Sequence, residues 1–462
     1  MKVLIIQPWI RLGGAELISV QLAAHLQQRG HTATIICTFL DLTGMPEQAH
    51  TLPYVLPPRW LARWCERNRL FFLLFGPWIM LALVWREARE ADLLNPHNFP
   101  AAWVASLVGT LQRLPIVWTC NEPPTRAPSQ VGLGDFVGWL IASSWLDKLL
   151  VKRFDAIYVP SQKTREQVRA RYGRDSEIIP LGVDASFFEP SADGTGPHPA
   201  LPHRGYQTPS FSPQLLAAMG EGKGGGPSVE KTPIAIQPEA LAISRNLEEK
   251  FVLLCLGKLH PQKNQIVCLE ALKRVLPDIP NALLLLAGDG PMLKHYQTSA
   301  ARLGITDHVR FLGTVTHQQA RDLYHACAIN LFSSLDQSWG LTPFEALCAE
   351  RISIVSSDSG AAEVFTQEEL GVVCVPTAEA FAAAILQIYR DPLPYQRRAA
   401  KGREYTTRQL TWSRYADSVL DIFEGALAHP LVSPDSRSGR RPRRPITRAE
   451  DGTASTSEGI RA

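Results

Sequence analysis

The chain is short of every feature that would place it in a specialised class. Its eight cysteines (37, 65, 120, 255, 268, 327, 348 and 374) include no Cys-x-x-Cys pair. They lie scattered through apolar patterns, which excludes a zinc ribbon or a disulfide framework and leaves reduced, buried thiols. A surplus of one charge is also missing: 47 Lys and Arg against 44 Asp and Glu give a formal +3. No overall field therefore points to a nucleic-acid partner, and none is expected. No secretory signal is visible, because Met1-Lys2 runs directly into a short strand-like segment, so a cytoplasmic location is expected. The one long apolar stretch, 70–85, carries Gly76-Pro77 at its centre and falls short of the ~20 residues that span a bilayer. We expect it not to cross a membrane.

What is present is a repeated alternation. Strand-like runs at 3–6, 34–37, 93–94, 116–119, 157–159 and 178–179 are separated by helical patterns at 17–28, 101–111 and 164–172. The alternation resumes with strands at 251–256, 282–287, 309–312, 329–332, 352–355 and 372–375, and helices at 265–275, 318–326, 343–349 and 378–389. Strands alternating with helices predict βαβ units and parallel sheets covered on both faces. A length of 462 residues suits two such domains with additions. The boundaries read as an α/β domain over 1–188, a flexible Gly- and Pro-rich insertion over 189–245 and a second α/β domain over 246–411. A helix at 412–428, expected to return to the first domain, then leads into a disordered, Arg-rich tail over 429–462.

Four segments at the carboxyl ends of strands, where open α/β sheets bind ligands, carry candidate chemistry. Gly13 and Gly14 open the first helix and could let backbone amides approach an anion; a tight turn needing no ligand is the alternative. Gly257-Lys258 and Lys263 follow the 251–256 strand. Two cations there suit a diphosphate, whose charge must be stabilised as it departs, and solvated lysines are the alternative. Gln337, Gly340 and Leu341 lead through Pro343 into a helix that carries Glu345 in its first turn. A carboxylate so placed is stabilised by the helix dipole and can accept two hydroxyl hydrogen bonds, as from a ribose, or it is a plain helix-start acid. Gly360, Ala361 and Glu363 form another small-residue turn, a second candidate anion nest.

Read together, these segments resemble the retaining glycosyltransferases of family 4, the group 1 glycosyltransferases. The resemblance covers roughly 1–188 and 246–427 and is stronger in the second half. There Gly257-Lys258, Gln262-Lys263-Asn264, Gly288-Asp289-Gly290-Pro291, Phe311-Leu312-Gly313, Asp322-Leu323-Tyr324, the 337–345 segment and Ser359-Gly360 with Glu363 follow the family's order. Ile179 to Asp184 and Val159-Pro160-Ser161 resemble elements near its hinge. The resemblance implies a GT-B fold, two facing Rossmann-like domains with a nucleoside diphosphate sugar (UDP- or GDP-linked) held between them. It implies that Gly14 lies against the donor, that Lys258 and Lys263 bind its diphosphate, that Glu345 holds the ribose, and that amides around Gly360 and Ala361 complete a phosphate cradle. It implies no metal or other cofactor, in keeping with the lack of an Asp-x-Asp pair.

The chain departs from the family pattern in three places. Gln337 stands where the family has the first Glu of an acidic pair, Lys258 where it often has Arg, and Asn121 where its His-Glu-Pro-Pro loop has His. Gln and Asn keep hydrogen bonding but lose charge, and Lys loses the bidentate fork. If Gln337 only replaces a hydroxyl contact, Gln337→Glu should keep or raise activity. His97 follows a strand and reads as a structural histidine bonded to backbone.

The reading is a hexosyltransferase acting with retention on an acceptor hydroxyl. A same-face displacement would have Lys258 and Lys263 as electrostatic catalysts, with Gln337 and Asn121 at the sugar. A degenerate sugar-nucleotide-binding or partner subunit is the alternative, and a related epimerase or phosphorylase a more distant one. Arg59, Trp60, Arg63, Trp64, Arg67 and Arg69 precede the apolar 70–85 stretch, and a second apolar run covers 136–150. Alternating cations and indoles suit an anionic membrane surface, which with a lipid or glycan acceptor makes a peripheral membrane location the expectation; two core helices with a solvated basic flank are the alternative.

Overall fold

The computed structural model describes residues 1–11, 13–123, 145–189 and 250–431, the side chains of residues 69 and 70 excepted. All but the first residue of the 189–245 insertion, the tail beyond residue 431 and the 136–144 part of the second apolar run lie outside the described residues.

Both halves are wound the same way. In the first, β1 (Lys2–Ile6), β2 (Thr32–Ile36), β3 (Tyr54–Val55) and β4 (Leu93–Pro96) form a parallel sheet in the order β3-β2-β1-β4. β5 (Val117–Thr119), β6 (Ala156–Val159) and β7 (Glu177–Ile178) follow side by side. Parallel bridges Leu94–Ile116 and His97–Thr119 join them to β4. In the second half, β8 (Phe251–Leu256), β9 (Ala282–Ala287), β10 (Val309–Gly313), β11 (Ile329–Phe332), β12 (Ile352–Ser356) and β13 (Val372–Cys374) run parallel in the order β10-β9-β8-β11-β12-β13. Each sheet is thus a Rossmann-type doubly wound sheet, and its strand order reverses between β1 and β4, and between β8 and β11.

Continuous apolar strands explain this architecture. Ala282 to Ala287 are all buried, as a strand covered on both faces requires. In β1, Val3 and Ile5 pack into one core and Leu4 and Ile6 into another on the opposite face. Each such side chain contributes ~1.5–3 kcal/mol when fully buried. The cysteines take part as small apolar residues: all eight are free, and all but the half-buried Cys374 are buried.

The last helix, Trp412–Ala428, crosses back to lie against Gly14–Gln28 of the first domain. Val183 pairs with Thr411, and Arg29 donates to Asp417 (2.5 Å) and to Ser413. The crossing is close: a Cβ at Gly182 would sit 2.4 Å from the Trp412 nitrogen, so only glycine fits.

Arg59–Arg67 and Arg69–Glu87 are consecutive helices, the second continuing through Gly76-Pro77. The helical stretch Phe71–Glu90, 20 residues, is by length and composition long and apolar enough to cross a membrane, longer than the sequence suggested. Phe72, Met80, Leu83 and Val84 nevertheless bury into the first domain, while Leu74, Phe75 and Trp78 face outward.

Candidate active site

The switch point of the second sheet brings two loops together. One follows β8 and carries Lys258 and Lys263; the other follows β11 and carries Gln337, Gly340 and Leu341. Lys263 Nζ donates to Gln337 Oε1. Gln337 Nε2 in turn donates to Glu122 Oε1 of the first domain at 2.8 Å, and Gln262 Nε2 reaches the same oxygen at 3.4 Å. A cation, an amide and a carboxylate therefore form one chain across the cleft. Crowding by the cleft raises the Glu122 pKa above the ordinary carboxylate value, against the pull of Lys263. The same crowding lowers that of Lys263, against the pull of Glu122.

Gln337 is thus not a bare loss of charge. Its amide accepts from Lys263 and donates to Glu122, two tasks that no carboxylate can perform together. A glutamate at 337 would set a second carboxylate within hydrogen-bond distance of Glu122, which counts against the expectation that Gln337→Glu keeps activity.

Gly340 gives the loop its shape, with φ of +109° and the Phe332 ring 2.3 Å from where a Cβ would lie. Leu341 then starts the short helix Thr342–Cys348 and sits 3.7 Å from where a Cβ on Gly14 would lie, across the cleft. Glu345, in that helix, accepts a 2.7 Å hydrogen bond from the buried Tyr324 hydroxyl. Burial pushes its pKa up to about 7, while Tyr324 opposes the rise. Glu345 borders a narrow cavity shared with Gln21, His317 and Leu341.

The anion reading of the first turn needs correction. At Gly13 and Gly14 the turn already holds a carboxylate: Glu16 Oε2 comes within 2.5 Å of a Cβ built on Gly13, and Trp9 Nε1 donates to Glu16 at 2.8 Å. Burial raises the Glu16 pKa, with Arg11 and Lys258 drawing it back. A nest occupied by an acid is suited to hydroxyl groups rather than to phosphate. Lys258 itself is exposed, on the loop that Gly257 opens with φ of +145°.

The second anion nest is also corrected. Gly360 N–H donates to Gln337 O (2.9 Å), Ala361 N–H to Trp339 O (3.2 Å) and Ala362 N–H to Ser359 O (3.1 Å), so these amides are taken. Glu363 does not face a donor. Its carboxylate accepts the Gln162 and Lys163 amides (2.9 and 2.7 Å) at the start of helix Gln162–Tyr172 in the first domain.

Asn121 is 7% exposed, and neither its amide nitrogen nor its oxygen has a hydrogen-bond partner among the described residues. Buried polar atoms in this state await a ligand or water. His97 is fully buried between the side chains of Asn95 (2.9 Å) and Thr119 (3.2 Å). Burial lowers its pKa to about 3, so it is a neutral structural residue held by side chains rather than backbone. Among the described residues no three His, Cys, Asp or Glu side chains gather as a metal site would require.

Glu122, Glu16 and Lys163 are the residues sequence reasoning missed. Glu122 and Glu16 stand inside motifs already singled out, but no local rule pairs Glu122 with a residue 215 positions away.

Two family profiles match the chain: "Glycosyltransferase Family 4" over residues 12–187 and "Glycosyl transferases group 1" over 237–405. A GDP-mannose-dependent alpha-(1-6)-phosphatidylinositol monomannoside mannosyltransferase of Mycobacterium tuberculosis is 27% identical over 210 residues, 43% of this chain and 54% of that enzyme. The human alpha-1,3/1,6-mannosyltransferase ALG2 is 23% identical over 416 residues, 85% of this chain and 88% of its own length. The chain spans only about half the length of the bacterial relatives it matches. Among solved structures, Anabaena Alr3699/HepE in complex with UDP-glucose superposes with a TM-score of 0.68 at 18% identity, covering 92% of this chain and all of that one.

Proposed function

The chain belongs to the group 1 glycosyltransferases of the GT-B fold, and from the chemistry of its cleft we propose that it moves a hexosyl group from a nucleoside diphosphate sugar to an acceptor hydroxyl with retained anomeric configuration. The observation that carries this reading is the chain Lys263–Gln337–Glu122 across the cleft. Lys263, with the exposed Lys258 at the cleft mouth, balances the diphosphate as it leaves. Gln337, Glu122, Asn121 and Glu16 offer hydrogen bonds to sugar hydroxyls, and Glu345 accepts from the ribose diol. In a same-face displacement the departing phosphate oxygen takes the acceptor proton, and neither a metal nor another cofactor is required.

Gly14 and Leu341, close together across the cleft, border the donor. The GDP-mannose dependence of the mycobacterial mannosyltransferase and the UDP-glucose bound by Alr3699/HepE set the first candidates for this chain. The acceptor side is the first domain, whose helices Arg59–Arg67 and Arg69–Glu87 expose Trp60 and Trp78 (65% and 69% exposed) beside Arg59, Arg63 and Arg67. That surface supports a lipid-linked acceptor at an anionic membrane, met from the cytoplasmic side.

The test is nucleoside diphosphate release on incubation with UDP-glucose, UDP-galactose and GDP-mannose, each with a glycolipid acceptor and with water alone. Release that depends on one donor is expected. Nucleotide binding without release from any donor would favour a binding subunit instead.

A further inference from the structure

A compact set of contacts grips the Gln337 loop from the other domain. Lys163, in the first turn of helix Gln162–Tyr172, donates to the Asp358 carboxylate at 2.6 Å and to the Asp358 carbonyl at 2.7 Å. It also lies 3.3 Å from the Asp336 carboxylate. Gln167, one turn further along, donates to Asp336 at 2.9 Å. These two aspartates hold Gln337 from both sides. Asp336 directly precedes it, in a left-handed conformation with φ of +46°, and its amide donates to Asp358 Oδ2 at 2.9 Å. The Gln337 amide donates to Asp358 O at 3.2 Å, while Gln337 O accepts from Gly360.

The helix that supplies Lys163 is itself fastened to the second domain, because Glu363 accepts its first two amides. Gly360 packs against Ser161 at that helix start, where a Cβ would come within 2.7 Å of the Ser161 Cβ. Every one of these bonds crosses the cleft or links residues that touch it. None involves Lys258, Lys263 or Glu345. The lysine is only 21% exposed and its partners Asp336 and Asp358 17% and 30%, so the cluster is partly shielded from the screening that weakens surface pairs.

We propose that Lys163 is a positioning residue: by binding Asp336 and Asp358 across the closed cleft, it fixes the backbone on either side of Gln337 and so assembles the Glu122–Gln337–Lys263 chain only when the domains are together. Glu363 sets the helix that presents it. Closure and assembly of the sugar-facing amide are then a single event, because the same contacts make both. The catalytic consequence rests on the glycosyl-transfer reading above; the mechanical one does not.

The experiment measures amide hydrogen exchange over residues 333–341 in the full chain, beside steady-state donor turnover, for the wild type, Lys163→Met, Lys163→Arg and Glu363→Gln. In Lys163→Met, exchange in this loop rises about tenfold and kcat falls about tenfold, while the donor KM stays within about twofold because the nucleotide contacts lie elsewhere. Lys163→Arg, which keeps the charge and the reach, restores the slow exchange. In a Gln337→Ala background, Lys163→Met costs no further kcat, since the residue it acts through is gone. If Lys163→Met proves unfolded by its melting curve, Lys163→Gln and Glu363→Gln carry the same readouts. Unchanged loop exchange in folded variants overturns the proposal, as does a rise in donor KM with kcat intact. Loosened exchange in a protein that turns over no sugar nucleotide would leave the latch standing and remove the transfer reading instead.

Discussion

Glu122 and Gln337, 215 residues apart in sequence and in different domains, share a 2.8 Å hydrogen bond in which the amide donates to the carboxylate. Position 337, where the family pattern leads one to expect an acid, thus carries an amide bonded to the carboxylate of the family-like Asn121-Glu122-Pro123-Pro124 loop. The carboxylate stands on the opposite wall of the cleft from the amide, with Lys263 on the amide's far side.

Lys263→Ala should reduce turnover far more than it weakens binding of the free nucleoside. Removing one preorganised electrostatic stabiliser typically raises a barrier by ~3 kcal/mol, on the order of a hundredfold in kcat. Steady-state kinetics with nucleoside affinity measured alongside checks this, and an unchanged kcat would take Lys263 out of the mechanism.

If Glu345 holds the ribose, as proposed, nucleotide binding should depend on pH. Burial holds its pKa at about 7 in the free protein. The ionised form accepts two ribose hydroxyls, so binding lowers that pKa and affinity should rise, by up to about tenfold, between pH 6 and 8. The Tyr324 hydroxyl acts to lower the pKa, so Tyr324→Phe should move the same rise to higher pH. Calorimetric titration with a nucleoside diphosphate and its 2′-deoxy analogue separates this effect from phosphate ionisation. Equal pH profiles for the two ligands would show that Glu345 does not meet the ribose.

Membrane association should have two separable parts. Arg59, Arg63 and Arg67 are exposed, and each basic side chain near an anionic leaflet contributes about 1 kcal/mol that salt screens. Trp60, Trp64 and Trp78 would add interfacial burial that salt leaves in place. In vesicle co-sedimentation, the triple Arg→Gln variant should lose salt-sensitive binding and the triple Trp→Ala variant the salt-resistant remainder. The melting temperature should be unchanged in both, because these side chains bury little. Wild-type binding in both variants would place the membrane contact elsewhere on the chain, and a wild type that ignores anionic vesicles at low salt would make a soluble acceptor the better reading.

Much of the fold was legible because fully buried parallel strands are written as uninterrupted apolar runs: 251–256 and 282–287 match the strands residue for residue. β3 escaped notice because two half-buried residues make no pattern. Helix Leu393–Gln409 was missed because its charged faces mask a stripe formed by little more than Tyr395, Ala399, Gly402 and Thr406. At the site, Lys263, Gln337 and Glu345 could be picked out because each lies just past a strand or at a helix start. What the sequence could not show is which groups are already engaged. Glu363 and the Gly360 and Ala361 amides look like an anion site locally, and only the approach of the other domain reveals that the Gln162 and Lys163 amides occupy the carboxylate while Ser161 packs against Gly360. Long-range pairings such as Glu122 with Gln337 leave no trace in spacing.

On the proposed reading the cleft works through one carboxylate, Glu122, and one amide, Gln337, bonded to each other. The direct measurement is kcat for Glu122→Gln, Gln337→Glu and the double variant, on whichever donor the wild type uses. Each single change should lower kcat at least about tenfold: the first removes the charge, and the second sets two carboxylates within hydrogen-bond distance, where both cannot stay ionised. The double variant, which restores one of each, should return to within about threefold of the wild type. Single variants as active as the wild type, or a double variant no better than the worse single one, would contradict the account.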